Sequence, residues 1–312
     1  MKITAKFATI LTGLLLLFLV ASCTGPPGAQ GPQGPAGPAG ATGPTGATGP
    51  PGAFLNPLQI ALLRWYEANQ VPTNFAVGVK PHCVVWDRID IWVTNAASNN
   101  VTRLRTSDGS QLGTYAVGNW PVGIAFDGAN IWVANYDDDN VTKLRASAGV
   151  EVLGSPYAVG SGPVGIAFDG ANIWVTNSGS NNVTKLRASN GSLVGTYAVG
   201  TEPVGIAFDG VNIWVANSGS NNVTKLRASD GSLVGTYAVG IMGTVGYAPS
   251  GIAFDSIYIW VANPGSNTVT KLRASDGSLV GTYAVGIGPM GIGFDGANIW
   301  VTNSGDKNVT KL

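Results

Sequence analysis

One histidine, two cysteines and no surplus of either charge leave this chain little to do chemistry with. Seventeen Lys plus Arg stand against seventeen Asp plus Glu in 312 residues, and only 11% of the residues are charged. Balanced charge excludes the electrostatic route to nucleic acid, because there is no basic surplus to displace counterions. A lone imidazole cannot build a histidine-rich metal site, and two thiols can build neither a four-cysteine zinc site nor a disulfide framework. Catalysis would fall to carboxylates, hydroxyls or that one ring. What the chain has in excess is glycine, 45 residues where ~7% is usual, and such a number belongs in tight turns or in a glycine-periodic tract.

Both uses are present. Lys2 and Lys6 precede an apolar run from Phe7 to Val20 that is too short for a membrane span and ends in Val20-Ala21-Ser22-Cys23, so residues 1–22 read as a secretory leader. Val-Ala-Ser-Cys resembles a bacterial lipobox, which implies that Cys23 becomes the lipidated first residue of a membrane-anchored envelope protein facing the periplasm or the exterior. Within residues 23–53 glycine recurs at every third position from Gly25 to Gly52, the period of a collagen-like stalk. Two readings of it stand: a homotrimer wound through the stalk, or a single extended spacer of roughly 90 Å at ~3.1 Å per residue. Residues 54–72 follow as a short amphipathic helix and linker, with Asn56 as N-cap, Pro57 at the first helical position and Leu58, Ala61, Leu62 and Trp65 on one face.

The remainder is a repeat. Tryptophan stands at 92, 132, 174, 214, 260 and 300, in steps of 40, 42, 40, 46 and 40 residues. Apart from the last, each unit holds four short β-prone runs, as in Pro203–Gly210, Asn212–Asn217, Asn221–Ser229 and Ser232–Gly240, with Asp209-Gly210, Ser218-Gly219-Ser220 and Asp230-Gly231 as the turn signals. Four antiparallel strands in about 40 residues make one propeller blade, so residues 73–312 are expected to form an all-β, six-bladed β-propeller. The last unit stops after its third run, and Thr73–Gly78 matches the fourth run of the others. That complementarity predicts an N-terminal strand that completes the last blade, with Phe75 buried as the counterpart of Tyr115 and Tyr197.

Gly-Ile-Ala-Phe-Asp-Gly-x-Asn-Ile-Trp-Val-Ala-Asn-Ser-Gly resembles the NHL and YVTN families of bacterial β-propellers, over residues 73–312. The resemblance implies the fold; those families hold binding scaffolds, sensor domains and a few enzymes. Virginiamycin B lyase is the enzyme most similar in repeat layout, and its metal-dependent site needs histidine and glutamate on the central face. Here Asn95, Asn135, Asn177, Asn217, Asn263 and Asn303 follow the tryptophan runs, so that chemistry is not carried over.

Departures from the repeat supply the candidate face. His82-Cys83 replaces Val-Gly at a strand start, Tyr136-Asp137-Asp138-Asp139 replaces Ser-Gly-Ser-Asn, Trp120 occupies an inter-blade loop, and an insertion carrying Met242 and Tyr247 enlarges another. The propeller topology puts all of these on one face. His82 reads as a polar residue at a strand start, with a general base as the alternative; no carboxylate is placed beside it by sequence. Cys83 reads as a small core residue. Asp137–Asp139 read as a solvated acidic loop, with calcium as the alternative ligand, although the spacing lacks the alternation of a known calcium loop. The Lys-x-Arg pairs of the third strands are expected to form a solvated rim, and the aspartate of each first turn a structural feature. No cofactor is required. The resulting expectation is a lipid-anchored, non-enzymatic propeller that binds a protein or a glycan; the alternatives are a metal-dependent lactonase- or lyase-like enzyme and a purely structural surface protein.

Overall fold

The computed structural model describes residues 74–240 and 248–312; the leader with Cys23, the stalk, the expected helix, Met242 and Tyr247 lie outside them. The described chain forms six consecutive antiparallel sheets in a β-propeller. The first blade is Pro81–Trp86, Asp90–Asn95, Asn100–Arg105 and Gln111–Ala116, and the third, which follows the repeat more closely, is Pro163–Phe168, Asn172–Asn177, Asn182–Arg187 and Leu193–Ala198. First strands of successive blades pack on one another and line the inside, as a propeller requires.

Alternation along the second strand explains why its residues are nearly all apolar. Trp174 points one way and Ile173 and Val175 the other, and both faces are covered by a neighbouring blade. Each inter-blade core therefore joins the tryptophan of one blade to the Ile-Val pair of the next: Trp132 and Val141 meet Ile173, Val175, Leu186 and Ala188, with Tyr157 and Phe168 at the margin. The tryptophan also lies against the fourth-strand tyrosine of its own blade, at centroid separations of 5.3–5.6 Å in five blades.

The aspartate of the first turn ties this tryptophan down. In every blade Asp Oδ2 accepts from the indole Nε1 at 2.7–2.8 Å. Asp169 Oδ1 meanwhile accepts from the backbone N–H groups of Ala171 and Asn172, closing the turn. The expected structural role of these aspartates is therefore a specific one: a single carboxylate fixes both a hairpin and the largest core side chain. Glycine is demanded where chains come closest. A Cβ on Gly191, which has φ 74°, would run into the Tyr157 ring of the preceding blade, and one on Gly165 into the Val204 carbonyl of the next.

Two expectations need correction. The first concerns the lysines. Lys143, Lys185 and Lys225 are 3% exposed, and each Nζ lies 4.8 Å from the centroid of the tryptophan ring paired with it across the strands. Each donates to the Ala and Ser carbonyls of the next blade's third-strand turn, as Lys185 does to Ala228 O and Ser229 O. Only the arginines of the Lys-x-Arg pairs form the exposed rim. The long aliphatic stem of lysine lets it cross an apolar seam while its head reaches a row of carbonyl acceptors.

The second concerns closure. The sixth sheet has three strands, Pro289–Phe294, Ile299–Asn303 and Asn308–Lys311, and residues 74–78 belong to no strand. Phe75 lies on Gly109, as Tyr157 lies on Gly191, so it does occupy the fourth-strand position facing the first blade. It is nevertheless 40% exposed, because no strand of the sixth blade covers it. Trp300 is 41% exposed where its five counterparts are at most 7% exposed, and Val84, Trp86, Met290 and Val309 are exposed as well. The sixth blade's outward face and the first blade's opposite face are thus uncovered.

Candidate functional site

The loops between second and third strands are short, and each ends in a residue of positive φ: Asn99, Asp139, Asn181, Asn221, Asn267 and Lys307, all at 52–56°. Asn and Asp tolerate this conformation because their short polar side chains bond locally. Here they also reach the next blade. Asn99 Oδ1 accepts from the Trp120 backbone N–H at 3.0 Å, Asp139 Oδ1 from Gly162 at 2.8 Å, Asn181 Oδ1 from Glu202 at 2.9 Å, and Asn221 and Asn267 from Ala248 and Gly288 at 3.0 Å. Successive loops on this face are latched together by one repeated hydrogen bond.

Trp120 and Tyr136 meet within that latch. The Tyr136 backbone N–H donates to Trp120 O at 3.0 Å, and the Asp137 N–H to Asn119 O at 3.3 Å. Asp138 accepts from the Asn119 backbone N–H at 2.7 Å and its side-chain Nδ2 at 2.8 Å, the role that Ser180 Oγ plays for Ser161 in the third blade. Asp138 and Asp139 thus spend their carboxylates on loop N–H groups. The structure places the Trp120 loop beside the Tyr136–Asp139 loop, with the two aromatic side chains 36% and 39% exposed.

Trp120 has a left-handed backbone, as Lys80, Glu202 and Ala248 do at the same place in other blades. Its φ is 52°, at a position where the third and sixth blades carry Gly162 and Gly288. An L-residue there costs about 1–2 kcal/mol, so an indole is being presented at the expense of stability. Lys80, at the equivalent position of the first blade, places Nζ 4.8 Å from the Trp120 ring centroid. Sequence reasoning missed Lys80 and Asn99. The available signal was that Lys80 and Trp120 both immediately precede the proline that opens a blade.

His82 and Cys83 begin the first strand of the first blade. His82 is exposed, and its Nδ1 lies 3.5 Å from Cys83 Sγ. Partial desolvation lowers the pKa of His82, and burial raises that of the Cys83 thiol, so neither is primed as an acid or a thiolate nucleophile at neutral pH. Among the described residues no hydrogen bond joins His82 to Trp120 or to Asp137–Asp139, and no three His, Cys, Asp or Glu side chains cluster as metal ligands. Asn95, Asn135, Asn177, Asn217, Asn263 and Asn303 are buried, each donating Nδ2 to a third-strand threonine hydroxyl at 2.8–3.0 Å. They hold the second strand to the third.

No family model matches the sequence, and no curated protein sequence matches it. Solved structures do. A streptogramin B lyase structure superposes with a TM-score of 0.63 at 23% identity, covering 75% of this chain and 78% of that one. Virginiamycin B lyase from Staphylococcus aureus gives 0.63 at 23% identity over 75% and 80%, and a protein of unknown function from Desulfotomaculum acetoxidans gives 0.63 at 15% over 76% and 84%. At these identities the likeness establishes the β-propeller fold and nothing finer.

Proposed function

We propose that this propeller is a binding module for an envelope protein or glycan, anchored through lipid on Cys23 and held off the membrane by the Gly-X-Y stalk. The observation that carries the reading is the strained, half-exposed Trp120 beside Tyr136 on a rigidly latched loop face. Aromatic side chains concentrate binding energy because they offer large rigid surfaces at little entropic cost. Lys80 adds a cation at the rim of the same patch. A lyase-like reading draws on the structural likeness to the lyases above, and His82 would be its base.

Trp120→Gly separates site from scaffold, since it should act on stability and binding with opposite signs. Relief of the positive φ is expected to raise unfolding free energy by about 1 kcal/mol. Loss of the indole is expected to weaken capture of envelope polysaccharide or purified envelope protein by about 30-fold, the scale of a hot-spot residue. Glu202→Gly, relieving the same strain at φ 50° two blades away, should gain stability and leave capture unchanged. Urea denaturation and titration against the panel read both. Metal-dependent turnover of lactone or lyase substrates that disappears in His82→Gln would overturn the binding reading.

A further inference from the structure

At the end of the propeller opposite Trp120, the turns of the first two blades border a hollow of about 490 Å³. Arg88, Arg103 and Arg145 line it, together with the half-buried Phe126 and the buried Ala146. The matching hollow between the fourth and fifth blades, of about 400 Å³, has a single arginine, Arg273. Three departures from the repeat make the difference. The second residue of the first turn is glycine at 128, 170, 210 and 296 and serine at 256, whereas the first blade has Arg88 there, at φ 76°. Arg103 stands where the other five blades have lysine. Arg145 is the common arginine of the third strand, but its turn lacks the acid that others carry: Arg105 and Arg227 pair with the aspartate three residues on, at 3.3 and 3.4 Å, and after Arg145 that place is taken by Ala148.

The acids in this corner are already committed. Asp87 and Asp90 are 5% and 4% exposed. Asp87 accepts from the Ile89 and Asp90 N–H groups and from the Trp92 indole at 2.6–2.9 Å. Asp90 takes the Arg103 fork, with Nε at 2.8 Å and Nη2 at 2.7 Å, while Arg103 Nη1 donates to Ser147 O of the next blade at 3.3 Å. Arg103 is thus fixed in the wall, and among the described residues Arg88 and Arg145 form no ion pair. Their positive charge is left for something outside the fold. We propose that this hollow binds a small organic acid, a sugar-sized ring bearing a carboxylate or a phosphate. Arginine presents paired N–H donors that match two oxygens of either group, and the Phe126 ring beside them offers a surface for the apolar face of the ligand. The volume falls within the ~300–1,000 Å³ of small-molecule sites. The ligand is a free small molecule, so a polymer captured on the opposite loop face leaves these turns untouched. The site goes beyond the loop-face reading and does not depend on it.

The test titrates glucuronate and glucose 6-phosphate, with uncharged glucose as the control, into the full-length chain at low ionic strength, read by isothermal titration calorimetry. The expected result is saturable binding of at least one acid, weakened by added salt, and none of glucose. Tighter glucuronate would mark the ligand as a carboxylate, tighter glucose 6-phosphate as a phosphate. Arg88→Gly and Ala148→Asp each install the residue that other blades carry, so the fold is kept while the first removes a guanidinium and the second gives Arg145 an internal partner. Each is expected to weaken acid binding about tenfold, the scale of one charge-assisted hydrogen bond. Arg273→Ala in the matching hollow and Trp120→Gly on the loop face should leave it unchanged. Failure of both acids to saturate, glucose bound as tightly as the acids, or undiminished binding in the Arg88→Gly, Ala148→Asp double variant would overturn the proposal. Loss of acid binding in Trp120→Gly would overturn it too, by moving the ligand to the loop face.

Discussion

Replacing Trp174 by alanine is expected to cost about 3–5 kcal/mol of unfolding free energy, and replacing Trp300 only about 1–2 kcal/mol, although the two residues are equivalent in sequence. Trp174 is fully buried between two blades, so its removal forfeits transfer free energy and leaves a cavity that Val183, Ile213 and Val215 cannot fill. Trp300 keeps its Asp295 bond and its lysine contact, but one face is open and no cavity forms behind it. Urea titration of both variants by far-ultraviolet circular dichroism makes the comparison. In a stack where each blade touches only its neighbours, the Trp174 variant should also lose cooperativity, since the weakened seam lies mid-array. Equal losses would mean that the sixth blade is covered in solution.

Acid is expected to dismantle the fold steeply below about pH 4, because the carboxylates that pin the tryptophans must ionise to do so. Desolvation alone would raise the pKa of Asp169, but the Trp174 indole and the N–H groups of Ala171 and Asn172 outweigh it and hold the carboxyl low. Desolvation is likewise overcome at Asp87, by the Asp90 N–H, Trp92, the Ile89 N–H and Arg103, and at Asp255, by Trp260, backbone N–H groups and Lys271. At Asp295 the Trp300 indole is the leading cause of the same depression. A folded pKa below the unfolded one contributes stability that is complete above the unfolded value and lost as pH falls through the folded value. Asp169→Asn should cost about 1–3 kcal/mol at pH 7, since the amide cannot accept at both oxygens. It should also flatten the pH dependence between 5 and 2. A variant with the wild-type acid profile would remove Asp169 from this role.

How much of this was readable beforehand differs by residue, for physical reasons. The spacing of Asp169, Trp174 and Asn177 carries its own geometry, since turn, strand and core contact lie within nine residues, and the blade follows from that. The burial of Lys185 was hidden because alternation assigns a side but not what covers it, and the covering atoms are carbonyls more than 40 residues away. Once Trp174 and Lys185 are recognised as cross-strand partners, the stacked ammonium follows. Phe75 is the clearest instance of a half-legible residue. Its match to Tyr115 correctly set its seat on Gly109, but closure depends on the accumulated rotation between blades, which no local pattern encodes. The candidate face was legible as departures from the repeat at Trp120 and Tyr136. The roles of Asp138 and Asp139 as loop acceptors, and of Asn99 as a latch, needed the coordinates of the adjoining blade.

If the propeller captures a partner as proposed, the loops around Trp120 and Tyr136 make the contact, and a hydrogen-exchange footprint of the protein saturated with an envelope polysaccharide or protein tests that directly. Slowed exchange is expected in the loops at 118–120, 136–139 and 160–162, around Trp120 and Tyr136, with the opposite-end turns at 127–130 and 169–172 unchanged. Protection confined to those turns, or spread along the inner strands with His82 at its centre, would contradict it.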